Sequence, residues 1–150
     1  MTTRIEHVAV WTDDLERSRR FYVEHFEGRA SDLYRNEATE FTSYFLEFDG
    51  GPRLELMQMP GIAPRPDEGQ ALGFVHVAFS LGSEAAVDAL TEKLRGAGYD
   101  VVGEPRWTGD GYYESVVLDP DGNRVELTAC GLAFGPDPPF SSTTGSDRKV

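Results

Sequence analysis

Two histidines and two glutamates occupy matched places in the two halves of this chain. His7 and His76 each begin the tripeptide His-Val-Ala, and Glu55 and Glu126 each follow an arginine and one apolar residue. Two imidazoles and two carboxylates are a suitable ligand set for one divalent metal ion. The repeat therefore predicts a shared metal site inside a duplicated fold, with all four side chains as ligands.

The elements that must position these side chains recur in both halves as a strand, a helix and further strands. Residues 4–11 and 74–81 alternate with period two, so a valine-rich face can pack on a helix while the histidine points to the other side. The same alternation puts Glu55 and Glu126 on the face away from the helices. Two facing carboxylates repel unless a proton or a cation lies between them. The alternation therefore favours a bound cation.

Helix starts and tight turns divide each half into elements. We expect Asp13 and Ser83 to cap the two helices, because each precedes an apolar stripe with helical spacing. Aspartate–glycine turns at 49–52 and 119–123 precede the two glutamate strands. The remaining strands are predicted at about 30–35, 41–48, 53–59, 99–104, 112–118 and 123–129.

The domain organisation follows from a segment rich in proline and glycine in the middle of the chain. We expect residues 1–59 to form a first module, 60–71 a linker, 72–130 a second module and 131–150 a flexible C-terminal tail. Each module is about 60 residues long and would bury too little surface alone. The two modules are therefore expected to form one domain.

The composition and net charge of the chain disfavour several classes of partner. The chain has 150 residues and a formal net charge of −12, which disfavours nucleic acid and anionic membrane surfaces. No apolar stretch approaches the roughly 20 residues that span a bilayer, and no signal peptide is visible. The single cysteine, Cys130, excludes an internal disulfide. We therefore predict a cytoplasmic protein.

Five parts of the sequence carry a family resemblance: His7, Glu55 and the segments 14–22, 76–79 and 119–127. In these parts the sequence resembles the vicinal oxygen chelate superfamily, which includes glyoxalase I, bleomycin resistance proteins and dioxygenases. The resemblance covers nearly all of residues 4–130. It implies an α+β fold of two paired βαβββ modules, with curved mixed sheets enclosing a metal cleft. Members often form homodimers, and both a cleft within one chain and a cleft built from two chains stay open.

The resemblance implies a metal-dependent lyase or isomerase of the glyoxalase I (lactoylglutathione lyase) type. Such an enzyme moves a proton through a metal-stabilised enediolate of an α-hydroxycarbonyl or hemithioacetal substrate. Glu126 is then the preferred base, and Glu55 serves the opposite face. The expected cofactor is one divalent ion, Ni²⁺ or Zn²⁺ first, while Co²⁺, Mn²⁺ and Fe²⁺ also suit imidazole and carboxylate ligands.

The expected substrate pocket departs from the glutathione-dependent pattern. Trp11 stands where those members usually carry an arginine, and Met59 stands where they usually carry an asparagine. Glutathione is therefore doubtful as a substrate component, and a more apolar small molecule is favoured. Ordinary core packing explains the same apolar residues equally well. The predicted pocket residues are Trp11, Met57, Met59, Phe74 and Trp107.

Three related activities remain open as alternatives. An extradiol-type dioxygenase would hold Fe²⁺ with His7, His76 and Glu126, but Glu55 would then occupy a position that such enzymes leave without a ligand. A non-catalytic protein that binds a small molecule or an antibiotic would keep its ligand affinity after metal removal. The third alternative is an epimerase of acyl-CoA substrates, because such enzymes share a similar cleft with four ligand positions.

Overall fold

A computed structural model of the chain describes residues 3–64 and 73–129. The predicted linker is described only as far as Pro64. Cys130 and the predicted tail at 131–150 lie outside the described residues. The proposed module boundaries therefore stay a prediction, although the elements of each module can be followed within the described ranges.

The first module is a mixed sheet with one helix. Its sheet has the order β1-β5-β4-β2, with β3 paired to β4, and β1 runs parallel to β5. The strand predicted at 30–35 is wrong as a single element, because two short strands replace it. The elements are β1 (His7–Trp11), α1 (Leu15–Phe26), β2 (Arg29–Ala30), β3 (Tyr34–Asn36), β4 (Phe41–Glu47) and β5 (Arg53–Gln58).

The second module repeats this arrangement with four strands in the order β6-β9-β8-β7, and β6 runs parallel to β9. Two helices and two mixed sheets confirm the predicted α+β fold of paired modules. The elements are β6 (Val77–Ser80), α2 (Glu84–Gly96), β7 (Val101–Trp107), β8 (Tyr113–Leu118) and β9 (Arg124–Ala129).

One of the two predicted helix caps is wrong, and the other is confirmed. Asp14, rather than Asp13, caps α1, because its side chain accepts a hydrogen bond from the Arg17 backbone N–H at 2.9 Å. Both residues are acceptable cap types, so the sequence alone did not distinguish them. Ser83 caps α2 as predicted and accepts a hydrogen bond from the Ala86 N–H.

The predicted alternation in the strands is confirmed by burial. Val8 and Val10 pack against the core from β1, and the neighbouring positions of that strand are exposed. In β5 and β9 the residues that flank each glutamate are almost fully buried; they are Leu54, Leu56, Val125 and Leu127. The helix-facing sides of both sheets therefore form the core, and the histidines and glutamates lie on the other sides.

A shared core and a polar contact hold the two modules together. Phe79 of β6 packs against Phe26 of α1 and Phe48, with ring centroids 4.6 and 4.9 Å apart. Nearby, the buried Tyr22 hydroxyl donates a 2.9 Å hydrogen bond to Asp119 in the turn between β8 and β9. The modules are thus fixed by contacts on the helix side, which leaves the opposite sheet faces open. None of the described helices is long and apolar enough to cross a membrane.

Candidate metal centre

The first His–Glu pair consists of His7 and Glu55. Parallel pairing of β1 with β5 places Ala9 opposite Glu55, so the glutamate lies two residues along from the histidine on the same face. His7 Nε2 is 3.6 Å from Glu55 Oε2. The imidazole is 38% exposed and the carboxylate 14% exposed, so the glutamate lies deeper in the face than the histidine.

The second His–Glu pair, His76 and Glu126, has nearly the same geometry. Ala78 lies opposite Glu126 in the parallel pairing of β6 with β9. His76 Nε2 is 3.5 Å from Glu126 Oε2, with side-chain exposures of 40% and 14%. The duplication that the sequence indicated therefore recurs as two matched pairs of side chains.

Each pair fits two corners of a metal site. Two ligand atoms that each lie about 2.1 Å from a tetrahedral ion are about 3.4 Å apart, close to both measured separations. Within residues 3–64 and 73–129, however, no three histidine, cysteine, aspartate or glutamate side chains come close enough to hold an ion. One chain therefore presents two pairs, and the single shared site for all four residues stays a prediction.

The first pair has an organised polar and aromatic surrounding. The Glu6 carboxylate contacts His7 Nδ1 and accepts a hydrogen bond from Arg53. The Arg53 guanidinium lies 4.2 Å from the centre of the Phe45 ring, and the His7 ring meets the same phenylalanine edge-on at 5.4 Å. Hydrogen bonding to His7, followed by that to Arg53, holds the pKa of Glu6 below its ordinary value. Glu6 is therefore an ionised neighbour of His7.

The second pair has an acidic surrounding instead. Burial raises the pKa of Glu126, the nearby His76 lowers it, and the Glu114 carboxylate raises it further. Glu114 forms an ion pair with Arg106 at 3.4 Å. A carboxylate with a raised pKa is better suited to accept and return a proton near neutral pH. The raised pKa supports Glu126 as the candidate base.

Three of the five predicted pocket residues line one large cleft. The cleft has a volume of about 1160 Å³ and runs between the edge strands of the two sheets. Trp11, Met59 and Phe74 line it, together with His76. Met57 lies opposite Trp11 in the pairing of β1 with β5, and Trp107 packs edge-on against Tyr113 at 5.6 Å.

Four neighbours of the two pairs were not predicted from the sequence, namely Glu6, Arg53, Phe45 and Glu114. A signal for Glu6 was present in its position directly before His7. Strict alternation would put adjacent residues on opposite faces, but the regular strand begins at His7. Glu6 therefore lies outside the strand and can contact the imidazole.

Comparison with known proteins agrees with the fold and the repeat. The model of the Glyoxalase/Bleomycin resistance protein/Dioxygenase superfamily matches residues 4–127. The chain belongs to this superfamily. A relative from Bacillus subtilis (strain 168), the uncharacterized protein YqjT, is 31% identical over 129 residues, which covers 83% of this chain and 98% of the relative.

Solved structures of the superfamily share this architecture. A glyoxalase family protein from Enterococcus faecalis is 26% identical, with a TM-score of 0.69 over 83% of this chain and 95% of the other. Leishmania major glyoxalase I is 23% identical, with a TM-score of 0.68 over 85% of this chain and 87% of the other. This second likeness shows the fold alone. The superfamily fold commonly accommodates a divalent metal and small-molecule ligands.

Proposed function

We propose that this superfamily member is a metal-dependent lyase or isomerase of the glyoxalase I type. The observation that carries the proposal is the pair of matched His–Glu contacts, at 3.6 and 3.5 Å, on faces that the core leaves open. Dioxygenases of the two-histidine, one-carboxylate kind need only one glutamate. A second glutamate in an equivalent place favours the four-ligand lyase or isomerase.

We propose that two copies of the chain complete the site. The first pair of one subunit would face the partner subunit's second pair, which assembles two imidazoles and two carboxylates. Exposed apolar side chains support such a contact, since Phe74 is 94% exposed and Trp107 is 58% exposed. Two carboxylates would balance the charge of a divalent ion, for which we propose Ni²⁺ or Zn²⁺.

The chemistry divides between the ion and the chain. When bound, the ion would supply a Lewis acid that polarises two neighbouring substrate oxygens and stabilises the negative charge that develops on them. Glu126 would remove a proton from one carbon and return it to the adjacent carbon. His7, Glu55 and His76 would hold the site in a fixed geometry. Trp11, Met59 and Phe74 would exclude water and favour an apolar substrate body.

The proposed base is tested with the Glu126→Gln variant. We expect loss of turnover by about 100-fold or more on hemithioacetals formed from a 2-oxoaldehyde and small thiols, because a positioned base contributes roughly 10²–10⁴-fold. The matched control is Glu104→Gln, which removes an exposed carboxylate that pairs with Arg95. Undiminished turnover by Glu126→Gln would exclude Glu126 as the base.

The alternatives give different results with the wild-type protein. Oxygen uptake with catechols and Fe²⁺, without turnover of any α-hydroxycarbonyl compound, would favour a dioxygenase. Small-molecule affinity that is unchanged by a chelator, again without turnover, would favour a binding protein. Both measurements use the purified 150-residue chain.

A further inference from the structure

The surroundings of His7 form a closed ring of four side chains. Arg53 donates a hydrogen bond to Glu6, and Glu6 contacts Nδ1 of His7. The His7 ring packs edge-on against Phe45, and the Arg53 guanidinium stacks on the same phenylalanine. Each member therefore touches two others, so the orientation of the carboxylate and the imidazole is set from both sides.

The contact at Nδ1 has a chemical consequence for the other ring nitrogen. A neutral imidazole carries one N–H, and a carboxylate at Nδ1 favours the proton on that nitrogen. Nε2 then presents a lone pair, and Nε2 is the atom that lies 3.6 Å from Glu55. A carboxylate behind a metal-binding histidine fixes its tautomer and ring orientation and raises its basicity.

We propose that Glu6 is a positioning residue that holds His7 in the Nδ1–H form with Nε2 free to bind a metal, and that Arg53 and Phe45 hold Glu6 in place. The tautomer is a property of the metal-free chain. The consequence for metal affinity rests on the proposed function.

The second module lacks this arrangement in its sequence. Val75 precedes His76, and Val116 lies opposite Glu126 where Phe45 lies opposite Glu55. The first pair is therefore preorganised for metal binding by its neighbours, whereas the ring of His76 is not held by a carboxylate from the preceding residue. The two pairs have nearly the same distance between histidine and glutamate, but only the ring of His7 is held by a carboxylate from the preceding residue.

The tautomer is measured directly by ¹⁵N NMR of the histidine side chains in metal-free protein at about pH 8, above the ordinary imidazole pKa. We expect the Nδ1–H form for His7 in the wild type. Glu6→Leu should lose that preference. Glu6→Gln should retain it in part, because the amide oxygen still accepts a hydrogen bond. Val75→Leu serves as the matched control and should leave His7 unchanged. A wild-type His7 in the Nε2–H form, donating to Glu55, would overturn the proposal.

Metal affinity supplies the second readout, measured by competition of Zn²⁺ between the protein and a chromophoric chelator. We expect Glu6→Leu to weaken binding by about 10–100-fold, as for other residues behind a ligand. Glu6→Gln removes the same charge but should weaken binding less, which separates hydrogen bonding from charge. Equal losses for both variants would overturn the positioning role. A wild-type protein that binds no ion would instead overturn the proposed function, and the NMR result would still stand.

Discussion

The two modules carry the same pair of chemical groups in different surroundings. In the first module, Glu6 and Phe45 contact the imidazole of His7, and Arg53 contacts both of these neighbours. In the second, burial and the nearby Glu114 raise the pKa of Glu126. We propose that the roles are divided, so that the first pair holds the ion and the second pair provides the group that exchanges protons.

The turns before the two glutamate strands differ as well. Asp49 is exposed, and Gly50 and Gly51 adopt positive φ angles in open space. Asp119 is buried instead, and its carboxylate accepts hydrogen bonds from Tyr22, from the backbone of residue 121 and from Asn123. The first turn only reverses the chain, whereas the second also connects the modules.

The largest expected effect comes from removing a histidine of either pair. His7→Ala and His76→Ala should each weaken Zn²⁺ binding by more than the roughly 10–100-fold that a residue behind a ligand contributes. The loss should be greater for His7→Ala, because its ring is preorganised by its neighbours. The control is His25→Gln, since His25 packs against Phe21 and Tyr99. Equal losses of Zn²⁺ affinity for His7→Ala and His76→Ala would contradict the proposal that the first pair is the better preorganised of the two.

A smaller effect is expected on the connection between the modules. Tyr22→Phe removes the donor to a buried carboxylate and should lower the free energy of unfolding by about 1–3 kcal/mol. Tyr44→Phe removes a 2.7 Å hydrogen bond to Glu16 that is exposed to solvent, and should cost less than about 0.5 kcal/mol. Urea unfolding of both variants measures the difference. Similar losses would show that the second turn is no more important to stability than a surface contact.

The smallest effect is a pH dependence. Burial raises the pKa of Asp119, although its hydrogen bonds from Asn123 and Tyr22 lower it. The folded state therefore binds this proton more tightly than the unfolded state. The protonated Asp119 side chain therefore stabilises the folded state at low pH, and this stabilisation is lost as the pH rises through the raised pKa.

The Asp119→Asn variant isolates that contribution. The stability of the wild type relative to Asp119→Asn should fall as the pH rises above about 3.8, the ordinary value. Asp49→Asn, in the exposed turn of the first module, should show little change in the same comparison. If the stability of the wild type instead rises relative to that of Asp119→Asn as the pH increases, the direction assigned to the pKa of Asp119 is wrong.

The sequence predicted those features that depend on local periodicity. Alternation placed Val8 and Val10 toward the helix and the histidine face away from it, and the apolar stripe placed Ser83 at a helix start. These features are local because a strand repeats every two residues and a cap acts within one turn. The repeat predicted one site shared by all four residues, and the described residues bring them together as two pairs.

The features that the sequence did not predict depend on register and on tertiary contact. The approach of Arg53 to Glu6 requires the parallel pairing of β1 with β5. The contact between Asp119 and Tyr22 joins residues far apart in the chain. The separation of the two histidine–glutamate pairs also depends on how the modules dock. No local pattern encodes that arrangement.

We propose that the first pair of one subunit and the partner subunit's second pair share one ion. The most direct test is a dimer of a His7→Ala chain with a His76→Ala chain, purified through a different affinity tag on each. One of its two sites would keep all four ligands. We predict one Zn²⁺ per dimer, bound with wild-type affinity. Binding as weak as in either single variant would contradict a site shared between subunits.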